Sequence, residues 1–157
     1  MVIPDETKIM DWLNSQELKP TKIEKIGTAY TIKIERAQLP LFIVRFNEKQ
    51  FTTVQGAIRI GPEYRALFTP EKKREFQRHL HKSIAMMNID YLEINEFRFG
   101  LYDLFFDDAF TYDKLYDTIK RITLALITNL ETLTSILGLD EEQSVIETDE
   151  SHLPYFI

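Results

Sequence analysis

The sequence predicts an α+β domain in which helices pack on an antiparallel sheet, and three patterns along the chain predict it. Apolar residues recur every three or four positions in three segments, which is typical of amphipathic helices. Elsewhere they alternate with polar residues or form short apolar runs, which is typical of strands. The strands come in consecutive groups joined by short polar connections, which favours an antiparallel sheet over a parallel one.

The expected element order is α-β-β-β-α-β-β-α. We expect one domain over residues 1–138 and an acidic tail over 139–157. Asp5 predicts the N-cap of a first helix over residues 5–17. Three strands follow between residues 22 and 60, centred on the stretches AYTIKIE, LFIVRF and FTTVQGAIRI.

The second half of the chain is expected to contain a helix, a hairpin of two strands and a last helix. Thr69, followed by a proline, predicts the start of the second helix. A hairpin is expected next, with its turn between Asn95 and Gly100. The last helix is expected to start at Asp108 or Thr111, and Gly138 stands where its C-terminal cap belongs.

Composition and charge restrict the function classes. The chain of 157 residues has no cysteine, which excludes a disulfide framework, a thiolate nucleophile and a cysteine-based zinc site. The first residues lack the basic and apolar regions of a secretory signal, so we expect a cytoplasmic protein. Seven of the 25 acidic residues follow Arg121, the last of the 19 basic residues, so the body is close to neutral and the acidity lies at the C-terminal end.

The order of elements, together with the stretch FFDDAFTYDKLYDTIKRI after the last strand, resembles the type III secretion chaperone-like fold. The same layout occurs in the YbjN-like family and in an archaeal family catalogued as a domain of unknown function, which this chain resembles most. The resemblance covers residues 5–138. It implies a small non-enzymatic protein, often a homodimer, that holds a partner polypeptide, and it implies no catalytic residues.

The predicted sheet carries more apolar surface than three helices easily cover. In the second and the last strands, large apolar side chains occupy both faces. One face is expected to form the core, and the other is a candidate surface for a second copy of the chain or for a client polypeptide. We assign Ile43, Tyr102, Leu104 and Phe106 to this surface.

The acidic tail ends in the apolar stretch LPYFI. We expect Leu153, Tyr155, Phe156 and Ile157 to dock on an apolar groove of the same chain or of a neighbouring one.

A nucleic-acid-binding protein is the alternative function. The basic run EKKREFQRHLHK, residues 71–82, offers cations that can contact phosphates. These cations are Lys72, Lys73, Arg74, Arg78 and Lys82. A solvated face of an amphipathic helix is favoured instead, because the body of the chain carries almost no net charge.

A metal-assisted hydrolase is a third possibility, since Asp103, Asp107 and Asp108 are close together in the sequence. The spacing of a calcium-binding loop is missing, and carboxylates before a helix commonly cap its free N–H groups. The histidines and serines form no recognisable catalytic pattern. We therefore predict no catalytic residue, no metal site and no cofactor. The apolar stretch 122–139 contains a glutamate, an asparagine and several hydroxyl side chains, so it predicts a buried helix rather than a membrane span.

Overall fold

The computed structural model describes residues 5–26, 29–45 and 51–140. It contains helices, strands and two short 3-10 helices. The helices are α1 (Glu6–Ser15), α2 (Pro70–Met87) and α3 (Tyr112–Leu137). The strands are β1 (Thr21–Ile26), β2 (Ala29–Arg36), β3 (Leu39–Arg45), β4 (Phe51–Arg59), β5 (Asp90–Asn95) and β6 (Arg98–Phe106). The 3-10 helices are Pro62–Leu67 and Asp107–Ala109.

The strands form one six-stranded sheet in the order β1-β2-β3-β4-β6-β5. Each pairing from β1 to β4 is antiparallel: β1 pairs with β2, β2 with β3, and β3 with β4. The predicted α+β class with an antiparallel sheet is therefore confirmed. The hairpin between β5 and β6 turns at residues 96 and 97, inside the predicted range.

β1 is a strand that the sequence pattern did not predict. Its stretch TKIEKI has Ile23 and Ile26 three positions apart, which breaks the alternation of a regular strand. The pairing with β2 explains this spacing, because the register shifts between Lys22 and Glu24. Such a bulge adds one residue to a strand and so hides its period of two.

Local side-chain caps start the helices where the sequence predicted. The backbone N–H of Lys8 donates to Asp5 Oδ1 at 2.8 Å, and that of Lys72 donates to Thr69 Oγ1 at 3.3 Å. Thr111, rather than Asp108, caps the start of α3, since the backbone N–H of Lys114 donates to Thr111 Oγ1 at 3.0 Å. At the other end of α3, Gly138 has a φ of +70°, the left-handed conformation of a helix C-terminal cap.

Two compact units divide the chain. The first comprises the described parts of Met1–Gly56 and Tyr102–Thr123. α1 has only ten residues and would be marginal alone, so it depends on the burial of Ile9 and Leu13. The other fully buried aliphatic side chains of this unit are Ile32, Ile34, Leu41, Ile43, Val54, Leu115, Ile119 and Ile122.

The second unit comprises Ala57–Leu101 and the described part of Leu124–Ile157. Its core contains a cluster of phenylalanine rings, in which Phe76 of α2 meets Phe99 of β6 with ring centroids 5.1 Å apart. Phe68 joins this cluster at 6.2 Å from both rings. Asn129 of α3 donates from Nδ2 to Ser83 Oγ of α2 at 3.0 Å, which ties the two helices together. Within the described part of the chain, none of the helices is long and apolar enough to span a membrane.

Candidate protein-binding surface

One face of the sheet in the first unit packs against α3. Arg121 of α3 donates from Nη2 to Asp103 Oδ2 of β6 at 2.9 Å. At β2, the guanidinium of Arg36 lies over the ring of Tyr116, also in α3, at 5.6 Å. Because side chains alternate along a strand, these contacts mark which residues of each strand point toward the helix.

The opposite face, which we call the second sheet face, is identified by two aromatic rings. Phe51 of β4 and Phe106 of β6 meet edge to face with centroids 6.1 Å apart. Alternation places Leu104 and Tyr102 on the same side as Phe106. Along β4 it places Thr53 and Gln55 with Phe51, and these two residues pair with Val44 and Phe42 of β3.

On this face, the side chains of β6 become more exposed toward the C-terminal end of the strand. Phe42, Val44, Thr53 and Gln55 are already buried within the chain. Tyr102 and Leu104 are half-buried, and Phe106 is 56% exposed. Phe51, Tyr102, Leu104 and Phe106 therefore form an aromatic-rich strip at the end of β6, and we call it the β6 strip.

The sequence-based assignment of Ile43 to this surface is wrong. Ile43 is fully buried and pairs with Ile32 and Val54, which belong to the same face as Arg45. The residues of β3 on the second sheet face are Phe42 and Val44 instead. Alternation within a strand shows which of its residues share a face, but the register between strands decides which faces align.

A buried ion pair, which the sequence analysis did not single out, lies at the ends of β3 and β6. Arg45 donates from Nη1 to Asp107 Oδ1 at 2.5 Å and from Nη2 to Oδ2 at 2.7 Å. Both side chains are 7% exposed, and Nη1 also donates to Thr52 Oγ1. A signal for this pair was present in the sequence, since an arginine at the end of the apolar run LFIVR needs a buried partner.

Tyr30 lies beside this pair and is affected by its charges. Its side chain is 3% exposed, and its hydroxyl has no hydrogen-bond partner among the described residues. Burial raises the pKa of Tyr30 far above the usual tyrosine value, and the positive charge of Arg45 offsets only part of the increase. The hydrogen bond from Arg45 to Asp107 raises the pKa of Arg45, so the guanidinium keeps its positive charge.

The three candidate metal-binding aspartates do not share one site. Asp107 is paired with Arg45, and Asp103 with Arg121. Arg121 also contacts Asp117 of α3 at 2.8 Å. Asp108 is exposed in the 3-10 helix that follows β6. Over residues 5–26, 29–45 and 51–140, no group of three or more histidine, aspartate or glutamate side chains is placed to hold a metal ion.

The basic run in α2 is divided between two environments. Lys73 forms an ion pair with Glu93 of β5, so its charge is already partly neutralised. His81 Nε2 lies 2.6 Å from the hydroxyl of Tyr91, also in β5. Arg74, Arg78 and Lys82 instead stand exposed on one stripe of the helix. Lys72 is half-buried. Leu153, Tyr155, Phe156 and Ile157, the residues predicted to dock the tail, lie outside the described residues.

These features define an α+β domain with a partly exposed aromatic strip on one sheet face and a buried ion pair at the edge of its core. The chain belongs to the family described as Uncharacterized conserved protein (DUF2299), which matches residues 5–133. A crystal structure of an uncharacterized protein from Methanothermobacter thermautotrophicus is similar in fold, with a TM-score of 0.72 at 16% sequence identity. That similarity covers 85% of this chain and 99% of the other. Curated proteins contain no match to this sequence.

Proposed function

We propose that this chain is a non-enzymatic protein-binding domain, chaperone-like in layout, which holds a partner polypeptide and works as a homodimer in the cytoplasm. The observation that supports the proposal is the β6 strip. Phe106 is 56% exposed beside Phe51, and Leu104 and Tyr102 continue the strip along the strand. Partly exposed aromatic side chains grouped on one surface are typical of the centre of a protein interface.

A second copy of the chain is the occupant that we propose for the β6 strip. A twofold contact brings the same patch of both copies together, so a charged patch would repel itself. The four side chains of the strip carry no charge at neutral pH. A stable interface buries about 1,200–2,000 Å² in total, so the strip would be its centre and surrounding residues would form its rim.

The test is a pair of substitutions within the strip, Leu104→Asp and Phe106→Asp together. Light scattering across concentration should give about twice 18.6 kDa for the unmodified chain and 18.6 kDa for the variant. Leu67→Asp with Leu124→Asp is the matched control, because it places two carboxylates on exposed leucines outside the strip. The control should remain dimeric. Phe106→Asp alone changes the more exposed of the two positions, so it should leave the fold intact. A monomer from this folded variant would show loss of the contact and not loss of the fold.

Client binding is measured separately, as suppression of the aggregation of reduced insulin B chain. The unmodified protein should suppress aggregation and the strip variant should not. A strip variant that stays dimeric and suppresses aggregation as well as the unmodified chain would contradict the assignment of the strip.

Nucleic-acid binding is the second candidate, and the exposed stripe of Arg74, Arg78 and Lys82 favours it. Binding through phosphate contacts should weaken steeply with salt. It should also be lost when Lys73 and Arg78 are both changed to Glu, with Arg78 giving the larger effect because Lys73 is already paired. An affinity for RNA that is independent of salt and of these residues would exclude this candidate.

A further inference from the structure

The exposed cations of α2 and the acidic residues near the C-terminus of the sequence have opposite charges. Arg74, Arg78 and Lys82 follow one another at intervals of four residues, which places them on one stripe of the helix. Met86 comes four residues later and is 75% exposed. We call these four residues the α2 stripe. It presents positive charge along most of its length and an apolar side chain at its C-terminal end.

The surface at this stripe is concave. A cavity of 380 Å³ is lined by Glu75, Arg78, His79 and Lys82. All four side chains are exposed, so a ligand can reach them. The positive charges at the cavity outnumber the single carboxylate, which favours an anionic occupant.

We propose that the acidic residues of segment 141–157 occupy the α2 stripe of the same chain. The segment carries five carboxylates, at Glu141, Glu142, Glu147, Asp149 and Glu150. Its order matches the stripe when the segment runs in the same direction as α2, since acidic residues come first and the apolar stretch LPYFI follows. Carboxylates over the arginines and the lysine would bring that stretch toward Met86, a side chain that adapts well to irregular apolar contacts.

The connection is long enough for this contact. Asn129 of α3 is hydrogen-bonded to Ser83, which lies one residue beyond Lys82 on α2. Leu137 ends α3 eight residues later, a distance of about 12 Å along a helix axis. An extended chain spans about 3.5 Å per residue, so segment 141–157 reaches on the order of 55 Å from Asp140. Every position of the stripe is therefore within reach.

Tethering favours this occupant over a free polyanion. A segment joined by a short connection is present at an effective concentration in the millimolar range. An external nucleic acid would first have to displace it. The acidic segment would thus keep the α2 stripe neutral and restrict non-specific binding of phosphates. This role is independent of the β6 strip and of the protein-binding function proposed for it, but it competes with the nucleic-acid candidate, which uses the same cations.

The test uses the full chain with a nitroxide label. Because the protein has no cysteine, Ser151→Cys gives one labelling position. Amide signals of α2 around Arg78 and Lys82 should broaden in the labelled protein relative to the reduced label. The broadening should be lost in 1 M salt, where the Debye length is about 3 Å.

Charge reversal then identifies the contact. Arg78→Glu with Lys82→Glu should abolish the broadening of α2. Lys8→Glu with Lys114→Glu makes the same change in net charge on exposed lysines elsewhere and should preserve it. Adding Glu147→Lys and Glu150→Lys to the α2 variant should restore the contact. Broadening that is confined to strands, that persists after reversal, or that appears only when RNA is added would overturn the proposal.

Discussion

Arg45 and Asp107, separated by 62 positions in the chain, form a bidentate ion pair with both side chains 7% exposed. Two parallel N–H to oxygen bonds are the strong geometry for a guanidinium and a carboxylate. The pair fixes the end of β3 to the start of the 3-10 helix after β6. That helix leads directly into α3, so the pair helps to determine where α3 begins relative to the sheet of the first unit.

Removing one member of this pair should destabilise the protein strongly. Arg45→Met or Asp107→Asn leaves a buried group without its charged partner and should lower the free energy of unfolding by about 3–5 kcal/mol. Arg45→Met with Asp107→Leu replaces both charges and should restore most of that loss. Urea unfolding of the three variants measures this coupling. If the double variant instead lost as much free energy of unfolding as the two single variants together, the two side chains would act independently.

Tyr30 should make the protein sensitive to alkaline pH. Its pKa is higher in the folded state than in the unfolded chain because the ionised phenolate is poorly solvated when buried. The folded state therefore holds the proton where the unfolded chain releases it. Stability is retained below pH of about 10, the unfolded value, and is lost as the pH rises above it.

The variant Tyr30→Phe checks this directly. As the pH rises above 9, the free energy of unfolding of this variant should fall less than that of the unmodified protein. Urea titration at each pH measures both. Burial also raises the pKa of Tyr112, so some alkaline loss should remain. An unchanged alkaline slope in Tyr30→Phe would contradict the assignment.

Gln55 and Thr53 should differ in how much their substitution destabilises the protein. Gln55 donates from Nε2 to Thr53 Oγ1 at 2.8 Å, but its buried Oε1 has no partner among the described residues. Gln55→Met removes the unpaired acceptor and should change the free energy of unfolding by less than about 1 kcal/mol. Thr53→Val keeps the shape of the side chain but leaves Gln55 Nε2 without its acceptor. It should lower the free energy of unfolding by about 1–3 kcal/mol. Thermal unfolding of both variants would show whether the order holds.

Gly138 should be required for a stable end of α3. Its φ of +70° is strained for a residue with a Cβ atom, although nothing lies within 4 Å of where that atom would be. Gly138→Ala should therefore lower stability by about 1 kcal/mol through backbone strain alone. Gly138→Asn should lower it less, because asparagine tolerates this conformation better. Equal losses for the two variants would indicate another cause.

Divalent cations should not stabilise the protein specifically. Asp107 and Asp103 already accept hydrogen bonds from Arg45 and Arg121, so a metal ion would have to displace both arginines. Melting temperatures in Mg²⁺ or Ca²⁺ should match those in KCl of equal ionic strength. A selective rise that disappears in Asp103→Asn would support the metal-assisted alternative instead.

The sequence by itself determined those features that depend on neighbours in the chain. Asp5 and Thr69 cap helices by binding a backbone N–H three residues later, and Gly138 ends α3 through its own backbone freedom. The α+β class followed from the change between helical and strand periodicity. Each of these is a local interaction, so a short window of residues contains all the information required.

The tertiary structure decided what depends on register and on distant pairs. The bulge in β1 hid that strand, because one extra residue removes the alternation by which strands are predicted. The register between β3 and β4 aligns Ile43 with Val54, away from the second sheet face. The same register aligns Phe42 with Gln55 and Val44 with Thr53 on that face. The pairing of Arg45 with Asp107 joins strand ends that come together only when the sheet has formed. A single sequence records which residues alternate within a strand, but the alignment of one strand with the next is set by packing across the whole sheet.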